Sequence, residues 1–144
     1  MYKFGATSKK KLLTCHKDIQ KVMNAAIKIA DFSIICGHRT EADQMRAFRS
    51  GASNLQFPYS RHNSYPSQAV DVAPWPIVWE GPRARERFYY VGGIIIGVAE
   101  SMGVDLRHGG DWNRDREILD EKGLSDLPHF ELFERRTNSK GQKK

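Results

Sequence analysis

Only two cysteines, Cys15 and Cys36, occur in 144 residues, too few to build a disulfide scaffold. Both sit among apolar neighbours and read as buried free thiols, which fits synthesis in a reducing compartment. Long apolar runs are also missing. The longest, Val91 to Ala99, is interrupted by three glycines and falls well short of the roughly 18 residues that span a bilayer. No apolar core follows the lysines of residues 1–11, so no secretory signal is read there. There is no internal repeat of solenoid period. With 40% hydrophobic and 28% charged residues, the chain is neither fibrous nor mainly disordered. Its length suits a single core and not two.

Positive charge is in excess, but unevenly. The net charge is +6, and residues 134–144 hold five basic residues and one acidic residue, so the other 133 carry only +2. The sequence pI of about 9.4 therefore reports a solvated tail and not a basic groove, which argues against a nucleic-acid partner. Residues 1–133 are read as a single domain. The tail, 134–144, lacks apolar residues and is expected to be disordered, with at most weak contact to an anionic surface. No long unpaired amphipathic stripe appears, so a monomer is expected.

Periodicity places the elements. Ser8 reads as the cap of a short helix. From Asp18, the positions Ile19, Val22, Met23, Ala26, Ile27 and Ala30 follow the helical period. Phe32 to Cys36 reads as a buried strand ended by Gly37. Thr40 caps a helix to Ser50, with Glu41 and Asp43 in its first turn, where the helix dipole favours acids. Gly51 to Gln68 is a long polar connection, and a loop of that length in a compact domain is usually functional. Ala69 to Ala73 is a strand. A helix follows from near Pro82 to Met102, with the stripe Phe88, Val91, Ile95, Val98 and Met102. Gly93 and Gly97 are read as sites of close packing. Val104 to Arg107 and His129 to Phe133 are strands, with a loop between them and a short helix at Arg116 to Glu121. The class is α+β: a small antiparallel sheet packed against several helices, with the functional site on the sheet face.

Within the strand Ala69–Ala73, Asp71 shares a face with two alanines. The room around it suits a ligand better than a surface acid. His62 lies nine residues earlier, across a loop bent by Pro66. In the last strand His129 and Glu131 share a face, while Phe130 and Leu132 are buried on the other. Asp126 can approach His129 only from a turn before that strand. Two histidines and one carboxylate form a common set for catalytic zinc, whose remaining position is left to water. An unliganded acid nearby can take that water's proton. Polar residues merely satisfied on loops and strand ends remain the alternative at this point.

Ser60-x-His62, Ala69-x-Asp71 and Asp126-x-x-His129-x-Glu131 resemble the signature of zinc peptidases that cleave peptidoglycan stem peptides. These are the D-alanyl-D-alanine carboxypeptidases and their phage and bacterial L-alanyl-D-glutamate endopeptidase relatives. Phe4-Gly5 with Ser8, Gly37-His38-Arg39-Thr40 with Gln44, and Leu106-Arg107-x-Gly109-Gly110-Asp111-Trp112 resemble the endopeptidase branch. The likeness runs from about residue 4 to residue 132. One departure stands in the first motif: two extra residues and Pro66-Ser67 replace a tighter spacing with a glycine, which changes the loop but not the ligand types.

The resemblance implies one Zn²⁺ per chain, held by His62, Asp71 and His129. Asp126 would be the general base, with Glu131 the rival base or a support for the ligands. Arg39 would stabilise the oxyanion. Ser60 and Gln44 would contact substrate or position ligands, and Asp111 and Trp112 would shape the pocket or hold its loop. His38 and His108 are read as possible cleft residues but not ligands, and His16 as structural. The implied substrate is bacterial peptidoglycan, cut at the L-alanyl-D-glutamate bond by a phage endolysin kept in host cytoplasm until release. The alternatives are a D-alanyl-D-alanine carboxypeptidase with the same site and a non-catalytic wall-binding module.

Overall fold

The computed structural model describes residues 1–118 and 126–133. The elements run α1 (Ala6–Leu12), α2 (Lys17–Ala26), β1 (Phe32–Cys36), α3 (Glu41–Ser50), a 3₁₀ turn (Arg61–Asn63), β2 (Ala69–Pro74), α4 (Ala84–Ser101), β3 (Leu106–His108) and β4 (His129–Leu132). The four strands pair antiparallel in the order β1-β2-β4-β3. The α+β architecture matches the expectation. The basic tail, and most of the short helix expected at Arg116–Glu121, lie outside the described residues; Arg116–Ile118 are irregular.

One face of the sheet closes the core. Ile19, Val22, Met23 and Ala26 of α2 are fully buried, as their spacing requires. They meet Ile95 and Ala99 of α4 and, from the sheet, Phe32, Ile34, Val70, Val72, Leu106 and Phe130. Strand alternation then sends Asp71 of β2, together with His129 and Glu131 of β4, to the opposite face. The sheet is thus apolar on one side and polar on the other. The polar side carries the site.

The helix caps follow local chemistry. Thr40 Oγ1 accepts from the Asp43 N–H at the start of α3, and the ring Nδ1 of His16 accepts from the Asp18 N–H at the start of α2. Three expectations are corrected. Ser8 does not cap α1, which begins after Gly5; its buried hydroxyl accepts from Ile34 N–H at 3.0 Å, tying α1 to β1. Met102 is exposed, and Ala99 takes its place in the buried stripe. A Cβ added at Gly93 or Gly97 would meet nothing within 4 Å, so neither marks a close approach.

The close approach in α4 is at Gly92. A Cβ there would stand 2.7 Å from Cε1 of His108. That ring cannot yield: it stacks on Phe130 with centroids 4.5 Å apart, and its Nε2 bonds the Leu127 carbonyl at 2.7 Å. Gly92→Ala is therefore expected to cost roughly 1–3 kcal/mol by overpacking. Gly93→Ala, with open space around it, is expected to gain roughly 0.5–1 kcal/mol from helix propensity. Urea unfolding of the two variants checks both signs.

Candidate metal centre and active site

Asp71 sits in the middle of the polar face because β2 is flanked on both sides. Its register partners are Cys36 on β1 and His129 on β4. The 3₁₀ turn adds His62. Ser60 caps that turn, accepting from the His62 N–H, and the His62 carbonyl accepts from the Arg39 N–H at 2.8 Å. The long polar loop is thereby pinned to the β1–α3 connection, and its one buried ring is aimed at β2.

Asp71 Oδ1 lies 3.3 Å from His62 Nε2 and 3.2 Å from His129 Nδ1. The two ring centroids are 5.1 Å apart. Each ring has its outer nitrogen committed. His62 Nδ1 faces the Gly37 carbonyl at 2.8 Å, and His129 Nε2 faces Glu131 Oε1 at 2.9 Å. Once each ring is neutral, outer acceptors of this kind fix the tautomer and make the inner nitrogen the lone-pair donor. Two imidazoles and one carboxylate oxygen therefore converge on one locus, which is the donor chemistry a divalent cation takes. Cys36, His62 and Asp71 also place ligand atoms within 4.8 Å of one another and could hold a metal ion. Cys36 is half-buried rather than buried as expected, and sequence reasoning had not joined it to the site.

Electrostatics agree with a cation locus. Burial opposes charge on Asp71, but hydrogen bonds from His129 and His62 outweigh it and hold the carboxyl well below the usual range. Burial likewise opposes charge on His62, yet the Asp71 hydrogen bond raises its pKa to about 10. His129 rises to about 9 by the same competition, with Asp71 and Glu131 accepting. Glu131 is held down at about 2: burial works against its charge, and His129 and Arg107 outweigh that. Its Oε2 also takes Arg61 at 3.1 Å and Arg107 at 2.7 Å. This acid is a brace for His129.

The site floors a cleft of about 640 Å³. Asp126 stands at its edge in the turn before β4, where its carbonyl accepts from the His129 N–H at 3.1 Å. Its carboxyl is pushed up by burial first and by the Asp71 charge next. Arg39 also lines the cleft, with Nη2 3.6 Å from Asp71 Oδ2. Ser60, Trp112, Tyr59 and Trp79 line the walls, and the Trp112 ring lies 5.6 Å from that of His129.

Residues 1–133 match the family described as phage L-alanyl-D-glutamate peptidase. The chain belongs to this family. It is 33% identical over 138 residues to the L-alanyl-D-glutamate peptidase of Escherichia phage T5, covering 91% of this chain and 98% of that one. It also resembles the crystal structure of the L-Ala D-Glu endopeptidase ChiX of Serratia marcescens, at 27% identity and a TM-score of 0.70, with 91% of this chain and 90% of that chain covered.

Other residues singled out in this peptidase fall outside the cleft. Gln44 is fully buried; its Oε1 accepts from Arg39 Nη1 at 3.0 Å and from Asn63 Nδ2 at 3.1 Å. Its Nε2 donates to Ser53 Oγ and to the Leu55 carbonyl. Asp111 does not shape the cleft but holds the loop after β3, accepting from the Arg116 N–H at 3.1 Å. Strand alternation turns His108 into the core face, away from the cleft. His38 bonds the Ser64 carbonyl and packs edge-on to Tyr65.

Proposed function

We propose that this peptidase hydrolyses the L-alanyl-D-glutamate bond of peptidoglycan stem peptides with one Zn²⁺ held by His62, Asp71 and His129. The reading rests above all on the convergence of two inward ring nitrogens on a single Asp71 oxygen at 3.2 and 3.3 Å. Family membership supplies the substrate class. When bound, zinc supplies a Lewis acid and lowers the pKa of water at its open position.

The chain's own residues do the rest. His62 and His129 donate through Nε2 and Nδ1, oriented by the Gly37 carbonyl and by Glu131. Asp126 accepts a proton at its carboxylate during attack and returns it to the departing D-glutamate nitrogen. A carboxyl raised by burial suits both duties, because it ionises and reprotonates closer to neutral pH. Arg39 offers an N–H to the developing oxyanion of the scissile carbonyl. The exposed rings of Tyr59 and Trp79 and the Arg61 guanidinium form walls suited to a muropeptide, which carries sugars and carboxylates. Residues 1–133 act as the catalytic domain, and no described helix is long and apolar enough to cross a membrane. A phage lysis enzyme, held in host cytoplasm until the membrane is opened, fits these features.

Mass spectrometry of digested peptidoglycan, with and without a chelator, tests the reading. Fragments freshly ended at L-alanine and at D-glutamate, lost with chelator and restored by zinc, are expected. Release of single D-alanine would instead identify the carboxypeptidase, and intact muropeptides would leave a wall-binding module.

Stability should report the cation independently of turnover. In the metal-free protein the raised histidines favour folding fully below their unfolded value of 6.5, and that contribution is lost as pH climbs through about 9 and 10. The depressed Asp71 contributes above its unfolded value of 3.8 and is lost only as pH falls below it. A cation needs bare ring nitrogens, so its binding strengthens over the window in which the protonated rings stop helping. The Tm difference between zinc-loaded and chelator-treated protein is therefore expected to widen from about pH 6 to about pH 8. A difference that shrinks over this range would separate the cation from these rings.

A further inference from the structure

We propose that the Cys36 thiolate is a fourth protein donor to the cation at this site, giving it a preference for soft metals; the inference rests on the metal-centre reading above.

The placement comes from a break in strand pairing. Ser33 opposes Ala73 and Ile34 opposes Val72, but the register then shifts, and Cys36 rather than Ile35 opposes Asp71. Such a bulge adds one residue to β1 and reverses which face the next side chain takes. Without it, Ile35 would stand beside Asp71. With it, Cys36, Asp71 and His129 form one row across three adjacent strands. His62 comes in over that row from the 3₁₀ turn.

The distances agree with a shared cation for three of the four donors, and His129 joins them through the same Asp71 oxygen. The ligand atoms of Cys36, His62 and Asp71 lie within 4.8 Å of one another. One cation at about 2.3 Å from sulfur and about 2.0–2.2 Å from nitrogen and oxygen requires donor separations of this order. The Arg39 Nη2 points at Sγ from 3.8 Å, so the sulfur already sits against positive charge. Cys36 does not line the cleft, whereas His62, Asp71 and His129 do. Cys36 would therefore hold the cation from the β1 side, leaving the cleft side to solvent and substrate. On binding, the S–H bond breaks, its proton passes to bulk water, and an S–metal bond forms with no change of oxidation state. Thiolate sulfur selects soft cations over hard ones.

Cobalt(II) titration of the full chain tests this, with absorbance and equilibrium dialysis read together. The expected result is one Co²⁺ per chain with an intense near-ultraviolet thiolate-to-cobalt band in the wild type. Cys36→Ser is expected to keep the stoichiometry and lose the band, while Cys15→Ser keeps both. In Cd²⁺/Zn²⁺ competition, Cys36→Ser is expected to lower the preference for cadmium by about tenfold or more. One bound Co²⁺ without the band in the wild type overturns the Cys36 inference and leaves the three-donor centre standing. No Co²⁺ bound by either protein overturns both. The wild-type spectrum decides even if the variant fails to fold.

Discussion

Asp126→Asn is expected to lower kcat on muropeptide substrate by about 10²–10⁴-fold while the protein keeps its cation and its fold. That factor corresponds to roughly 3–5 kcal/mol of transition-state stabilisation. The amide has the shape of the acid but cannot take a proton. Among the described residues the Asp126 carboxylate takes part in no ion pair, and no side-chain hydrogen bond is seen to it. The turn is held through the backbone, with Asp126 N–H on the Gly109 carbonyl at 3.0 Å and the Asp126 carbonyl on His129 N–H. The pH profile separates a proton-transfer role from a packing role. An acid limb set by Asp126 should lie above the ordinary carboxylate range, because burial and the Asp71 charge both raise it, and it should vanish in the variant. Activity within a few fold of wild type would move the base elsewhere. Glu131 would be a poor substitute, since one proton-bearing ring and two guanidiniums keep it ionised near pH 2.

His62→Ala carries the second large effect: loss of the cation and of all hydrolysis. His62 belongs both to the set His62, Asp71 and His129 and to the set Cys36, His62 and Asp71, so its removal breaks each close grouping of three donors. Even outer partners of metal ligands cost 10–100-fold in affinity, and removal of a direct donor is expected to exceed about 100-fold. Metal content after dialysis, measured beside circular dichroism, checks this. His129→Ala differs in kind. It leaves Cys36, His62 and Asp71 together, so it should retain more cation than His62→Ala while still losing activity. Full metal content in His62→Ala would remove this ring from the centre.

Much of this was legible along the chain because period-two alternation and helical period report burial directly. Val70 and Val72 facing the core leave Asp71 on the other side, and Phe130 does the same for His129 and Glu131. The turn before β4 was also legible, since Asp126 could reach His129 in no other way. What escaped depends on pairing between distant segments. The β1 register shift has no local signature, so Cys36 read as a core thiol. The partners of Glu131, Arg61 and Arg107, lie 70 and 24 residues away and meet only when β3 and the polar loop close around β4. The glycines of α4 look alike in sequence. Only the position of His108 distinguishes Gly92 from Gly93 and Gly97.

Gln44 is a single carboxamide with every polar atom spoken for, and its four partners belong to three separate stretches of backbone. It works as a joint. The Arg39 guanidinium, the histidine-bearing turn at Asn63 and the rim at Ser53 and Leu55 are bolted to one another through it. The mouth of this enzyme is consequently preset, and a wall fragment must fit the opening it finds instead of reshaping it on arrival.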